Sequence, residues 1–159
     1  MFIGGRVMNY WRMQLHPDEA ESAAHYTSQS IAAGFIGLDF ATEVGDLLAE
    51  EHQNILDTQK DYLAFAKEMQ PGDKVLIILH HFPFAVVTVD GDYNYIRRTE
   101  PELGVWFRHF RRVRDVIYFA DYITNAKSWE QYTMTDAIAV LRDPNSKSYR
   151  LIEEMTKET

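Results

Sequence analysis

Six arginines lie between positions 97 and 114, at Arg97, Arg98, Arg108, Arg111, Arg112 and Arg114, against two acids, Glu100 and Glu102. The guanidinium grips phosphate through parallel hydrogen bonds and stacks on flat rings, which makes it the side chain of nucleic-acid and phosphate recognition. Trp106, Phe107, His109 and Phe110 are interleaved with these cations. On a strand, Arg108 and Arg112 share a face and suit contact with successive phosphates, with Arg97 and Arg98 upstream. Arg111 falls on the other face, where it is expected to meet the acidic helices. A solvated, arginine-rich strand and loop is the competing reading of the same residues.

Other chemistries find less support. His80 and His81 are adjacent, so a strand would point them to opposite faces and they could not share one metal. There is no His-Glu-x-x-His, no Asp-x-Lys or Glu-x-Lys of a restriction-type nuclease, no Gly-x-Ser-x-Gly turn and no phosphate loop. An isolated acid–base pair such as His81 with Asp90 carries no spacing signature and stays open. A non-catalytic binding domain without cofactor or metal is expected.

The 159 residues are 46% hydrophobic and 13% aromatic, enough for one core and one domain over 1–159. The absence of cysteine excludes a disulfide scaffold, a thiol nucleophile and thiolate metal sites. No apolar run is long enough to span a bilayer and the N-terminus does not resemble a signal peptide, so a cytoplasmic protein is expected, without a membrane partner. The formal charge of −8 speaks against non-specific coating of nucleic acid. It is unevenly spread. Pro17 to Asp73 holds twelve acids and two lysines, whereas Arg97 to Arg114 carries a net +4.

The elements that would position these groups follow from pattern. Arg6 to Leu15 reads as a strand, and His16-Pro17-Asp18-Glu19 as the start of a polar surface helix running to about Ser30. Gly34 to Phe40 reads as a short strand, and Gly45–Glu51 and Asn54–Glu68 as helices. Val75 to Leu79 is a continuous apolar run, expected as a strand buried on both faces and paired antiparallel with Phe84–Val89. Tyr93 and Tyr95 would share a face, as a stacking surface or an edge cover. Gly104–Phe119 reads as a long strand. Thr133 to about Glu154 reads as two helices broken at Asp143-Pro144-Asn145, and Trp129 and Tyr132 as loop residues. The expected class is α+β, a curved mixed sheet or open barrel of about five or six strands flanked by helices.

Four segments in this order resemble a known family. Tyr10-Trp11-Arg12-Met13-Gln14-Leu15-His16-Pro17-Asp18-Glu19 is similar to the opening strand and turn of EVE domains. Ala32-Ala33-Gly34-Phe35-Ile36-Gly37-Leu38-Asp39-Phe40, with Gly45-Asp46-Leu47, resembles an Ile-Gly-Trp…Gly-Asp-Leu segment of EVE-like domains in restriction systems. Met69-Gln70-Pro71-Gly72-Asp73-Lys74-Val75-Leu76 resembles their entry to the central strand. Trp106 to Val116 is similar to a late strand of EVE and YTH domains. The resemblance is to the PUA-like superfamily, EVE/YTH branch. It implies a barrel-like reader that holds a flipped, modified base in an aromatic pocket, often as the specificity module of a modification-dependent, Mcr-type restriction system with a nuclease or NTPase partner. Modified DNA is the implied ligand, with RNA or a free modified nucleoside as the alternative.

Carried onto this chain, the resemblance implies a pocket drawn from Trp11, Gln14, Phe35, Gly37, Asp39 and Phe40, walled by His81, Phe82 and Trp106. Gln14 stands where EVE domains often have lysine, and Phe35 and Phe40 where tryptophan is usual. Gln14 would read a base edge and Asp39 would accept from an exocyclic amine. Arg97, Arg98, Arg108 and Arg112 would meet phosphates. Core packing is the competing role for Trp11, Phe35 and Trp106, capping for Asp39, and turn packing for Phe82.

Overall fold

The computed structural model describes residues 2–3, 6–15, 20–39, 44–49, 62–79, 82–119 and 137–157. Two short strands, β1 (Phe2–Ile3) and β2 (Arg6–Val7), pair antiparallel. The body is a mixed sheet curled into a half-barrel. Its strands are β3 (Tyr10–Met13), β4 (Phe35–Leu38), β5 (Lys74–Leu79), β6 (Phe82–Val89), β8 (His109–Tyr118) and β9 (Ile138–Leu141), in the spatial order β4-β8-β6-β5-β3-β9, with the short β7 (Asn94–Tyr95) also paired to β8. Three helices accompany them: α1 (Ala20–Ala33), α2 (Leu63–Lys67) and α3 (Lys147–Thr156). The α+β class and the curved mixed sheet agree with the pattern. No helix among the described residues is long and apolar enough to cross a membrane.

Alternation assigns the two faces of the sheet. Trp11 and Met13, Val75, Ile77 and Leu79, and Val87 and Val89 point inward to the main core, closed by Ile31 of α1 and Phe65 of α2. Tyr10, Leu76, Ile78 and Val86 point outward to a second apolar layer, where Ile152 of α3 covers them. β5 is therefore buried on both faces, as its unbroken apolar run requires, and it pairs antiparallel with β6. It also pairs parallel with β3, which makes the sheet mixed.

Two buried charges hold the inner layer. Asp73 is fully buried at the turn entering β5. Its Oδ1 accepts from the Asn9 N–H at 3.1 Å, and its Oδ2 from the Trp11 indole at 3.0 Å and the Gln70 N–H at 2.9 Å. Arg111 of β8 is 3% exposed. Its guanidinium donates to the carbonyls of Phe65, Ala66 and Met69 and to that of Gly91, at 2.8, 3.2, 2.8 and 2.9 Å. Arg111 does lie on the face opposite Arg112, but its partners are the carbonyls at the end of α2 rather than acidic side chains. Those carbonyls carry the negative end of the helix and have no partner within it. Burial pushes the guanidinium down to about 10, and Asp92 and Asp73 pull the other way, so it stays charged at neutral pH.

β8 changes partners along its length. Residues 109–112 pair with β4, with β7 against 109 and 110 on the other side, and 113–118 pair with β6. The register slips between Val86 and Thr88, giving β8 one extra residue, and Asp115 takes φ 51. This is a bulge, and it bends the strand around the core.

Several expectations need correction. The strand from Arg6 to Leu15 is broken into β2 and β3. α1 is not polar surface throughout: Thr27, Ser30 and Ile31 are buried, and the Ser30 hydroxyl donates to the Phe35 carbonyl at 2.6 Å. Residues 44–49 form turns, not a helix. Of the helix expected over 54–68, α2 is the described part; residues 54–61 lie outside the described residues. β8 begins at His109, so 104–108 is loop. The first of the two C-terminal helices is instead β9, pairing antiparallel with β3. A four-residue apolar run carries no period that separates strand from helix, and the free edge of β3 decides it. His80, Trp129 and Tyr132 lie outside the described residues.

Removing the Asp73 carboxylate leaves the buried Trp11 indole and two part-buried amide donors without their acceptor. Asp73→Ala should cost about 3–5 kcal/mol, read as a lower urea midpoint at unchanged slope, and Arg111→Met should cost a similar amount. A loss under roughly 1 kcal/mol in both would show that neither charge organises the core.

Candidate nucleic-acid interface

The arginine–aromatic strand forms its surface where β8 meets β4. The register sets Phe35 opposite Arg112 and Gly37 opposite Phe110. Paired residues point to the same face, so Phe35, Phe110 and Arg112 share the outer side, while Ile36, Leu38, His109 and Arg111 face the core. Phe35 and Phe110 are half-buried and meet edge to face at 5.6 Å. Arg112 is exposed, and no ion pair restrains it among the described residues. Arg97 and Arg98 are also exposed; Arg98 lies 3.5 Å from Glu100.

One strand step beyond, Asp39 and Arg108 hold each other. The guanidinium places Nε and Nη2 each 2.8 Å from Asp39 Oδ1, and the Arg108 amide approaches Oδ2 at 3.4 Å. Each side chain is 24% exposed. The two residues expected to work separately, as base-edge acceptor and phosphate contact, are a local pair that fastens the end of β4 to the start of β8.

Trp106 sits in the preceding loop against α1. Pro101–Leu103 forms a 3-10 turn and Gly104 follows at φ 76, where a Cβ would run into the side chain of Ala33. Only glycine permits this approach, which lays Trp106 along the helix. The indole stacks on Tyr26 at 4.7 Å and 25°, with the His25 ring edge-on at 5.3 Å. Trp106 is half-buried, and its Nε1 donor is buried without an acceptor among the described residues. An indole donor in that state is the exception among buried polar groups and asks for an acceptor.

The remaining expected pocket residues are not brought together. Trp11 is 2% exposed, and Asp73 occupies its indole nitrogen, so it is a core residue rather than a cage wall. Gly37 offers no recess: a Cβ there would lie 2.5 Å from the His109 carbonyl and 2.7 Å from Phe107 Cβ. Gln14 is half-buried at the end of β3, its backbone N–H bonded to the Ala137 carbonyl, away from β4. Phe82 is half-buried where β6 begins, opposite Leu79. Phe40 and His81 lie outside the described residues. A cleft of about 660 Å³ opens elsewhere, between the starts of β3 and β5 and the end of α3.

Tyr93 and Tyr95 do share a side, but Tyr93 is core. Its hydroxyl lies 2.7 Å from His109 Nδ1 and accepts from the Leu47 N–H at 3.0 Å. Tyr95 packs on the same imidazole at 5.1 Å. His25 and Tyr26 are the aromatic members that the pattern does not reveal, and Phe110, interleaved with the arginines, carried no pocket role there. The His25-Tyr26 pair, alone among small and polar residues of α1, was the available signal.

No family model matches the chain, and no curated protein matches it. Among the described residues no cluster of three or more His, Asp or Glu side chains is placed to hold a metal ion.

Gly37→Ala should force Phe107 and the His109 carbonyl apart, costing about 1–3 kcal/mol. Arg112→Ala should stay within about 0.5 kcal/mol of the parent. Urea unfolding of both variants checks the contrast between a packed and a free position on the same face.

Proposed function

We propose that this domain reads a modified nucleobase in DNA, as a PUA-like module of the EVE/YTH kind serving a modification-dependent restriction system. The observation that carries the reading is the juxtaposition, on one outer face, of half-buried Phe35 and Phe110 with the exposed Arg112. Base–aromatic stacking contributes about 1–3 kcal/mol per base, and guanidinium groups position the phosphates on either side. A base taken out of its stack needs both, with a few polar groups for its edge. Trp106, packed on Tyr26 in the loop leading into β8, carries an indole donor with no acceptor among the described residues and is the candidate for such a group.

Charge sets the character of this binding. With −8 overall, the domain gains little from long-range attraction to DNA. Affinity then comes mainly from one base on the aromatic face, and unmodified DNA binds poorly. The same charge favours a second reading, a receptor for a free modified nucleoside. Salt separates the two, because phosphate contacts release counterions and a nucleoside does not.

The test is fluorescence anisotropy with short oligonucleotides carrying 6-methyladenine, 5-methylcytosine or 5-hydroxymethylcytosine, against unmodified controls at low and physiological salt. One modified duplex or strand should bind at least roughly tenfold tighter than its control, a difference of about 1.4 kcal/mol. Phe35→Ala and Trp106→Ala should each erase that preference. Arg112→Ala should weaken modified and unmodified DNA alike and reduce the salt slope by about 1. Equal, negligible binding to every oligonucleotide overturns the reading, and salt-independent binding of the free nucleoside alone replaces it with the second.

A further inference from the structure

At the β3–β5 end of the sheet, away from β4, polar groups line up across strands. Tyr10 on β3 pairs in register with Lys74 on β5, Lys74 with Thr88 on β6, and Thr88 with Arg114 on β8. All four side chains share the outer face. There the C-terminal end of α3 stands over Tyr10 and Lys74, and a cleft of about 660 Å³ lies between them. That volume suits a small molecule. Met8 and the Tyr10 ring give it apolar surface, and Tyr149 fixes the ring at 4.7 Å.

The two sides of the cleft carry opposite charge. Lys74 is half-buried, and among the described residues its ammonium makes one hydrogen bond, to Thr88 Oγ1 at 2.8 Å. Two of its three donors remain for a ligand. The charges that act on it are Asp115 and Arg114 of β8, which oppose each other, and burial draws its pKa down. An anion in the cleft would supply the missing counter-charge. The other side is the end of α3. Glu153 accepts from the Tyr10 hydroxyl at 3.0 Å through Oε2, which leaves Oε1 for another donor, and Glu154 lies beside it. The helix C-terminus adds its negative end, with Lys157 at the rim partly offsetting it.

We propose that this cleft binds a small amino-carboxylate zwitterion, with its carboxylate on Lys74 Nζ and its ammonium on Glu153 and Glu154. A simple anion would meet two glutamates and a simple cation would meet Lys74. Only a ligand with both charges satisfies both sides. The site is separate from the aromatic face of β4 and β8 and does not depend on the nucleic-acid reading.

The experiment is calorimetry and NMR titration of the full chain with glycine, γ-aminobutyrate and ε-aminocaproate, which separate the two charges by increasing lengths. Butyrate and butylamine serve as single-charge controls. One zwitterion should bind at least roughly tenfold more tightly than either control, equivalent to about 1.4 kcal/mol, shifting the Lys74 side-chain and Tyr10 resonances. Lys74→Met and Glu153→Gln should each weaken it by a similar factor. Both variants retain the stem that packs on the sheet or the acceptor for Tyr10, and an unchanged urea midpoint verifies their folding. Binding of butyrate or butylamine as tight as that of every zwitterion overturns the proposal. So does the absence of any saturable shift at millimolar zwitterion, a result the parent protein gives without reference to any variant.

Discussion

A carboxylate with no exposed surface is the constraint on which this fold turns. Asp73 can sit in the core only because donors from three places reach it: the Trp11 indole, the Asn9 amide at the entry to β3, and the Gln70 amide after α2. Taking such a charge out of water costs several kcal/mol unless its lone pairs are filled. Meeting that condition aligns β3 with β5 in parallel and sets the position of α2. Arg111 closes the arrangement from β8 by taking the free carbonyls at the end of α2. The two charges thus bind the helix, the central strands and the bent strand into one inner layer, and the outer surfaces are what this layer leaves exposed.

Short-range patterns made much of that layer legible. The unbroken run Val75 to Leu79 requires a strand covered on both sides, and Pro71-Gly72-Asp73 marks the turn before it. Period-two alternation separated Arg111 from Arg112 correctly. What it could not supply was the partner of each side chain. Arg108 meets Asp39 across 69 positions of sequence, and Trp11 meets Asp73 across 62. A tryptophan beside polar residues near a strand end reads equally as a pocket wall or a core residue until that distant carboxylate is placed. β9 was missed for a related reason. Its four residues are decided by the open edge of β3, not by their own propensity. The buried face of α1 was missed because Thr27 and Ser30 look like surface residues by type.

The basic stretch also changes meaning once its partners are known. Arg111 is internal, Arg108 is matched to Asp39, and Arg114 to Asp90 and Asp115. The exposed guanidinium groups without a close acid are fewer than the composition suggests, and Arg112 is the one set beside the aromatic face. A concentration of one residue type along the chain therefore divides into a core fastener, three local pairs and a small exposed surface.

The extra residue at Asp115 has a consequence for how this segment can vary. Before it, even-numbered side chains of β8 face outward; beyond it, Ile117 takes the outward place and Val116 turns to the core. The two halves of the strand are thus in opposite phase, and the bulge is the splice that reconciles them. Losing or gaining one residue between 109 and 118 away from the bulge would exchange inside for outside in one half and put a second guanidinium in the core or a valine on the surface. The outward side chains of this strand are free to drift, but its count of residues is not.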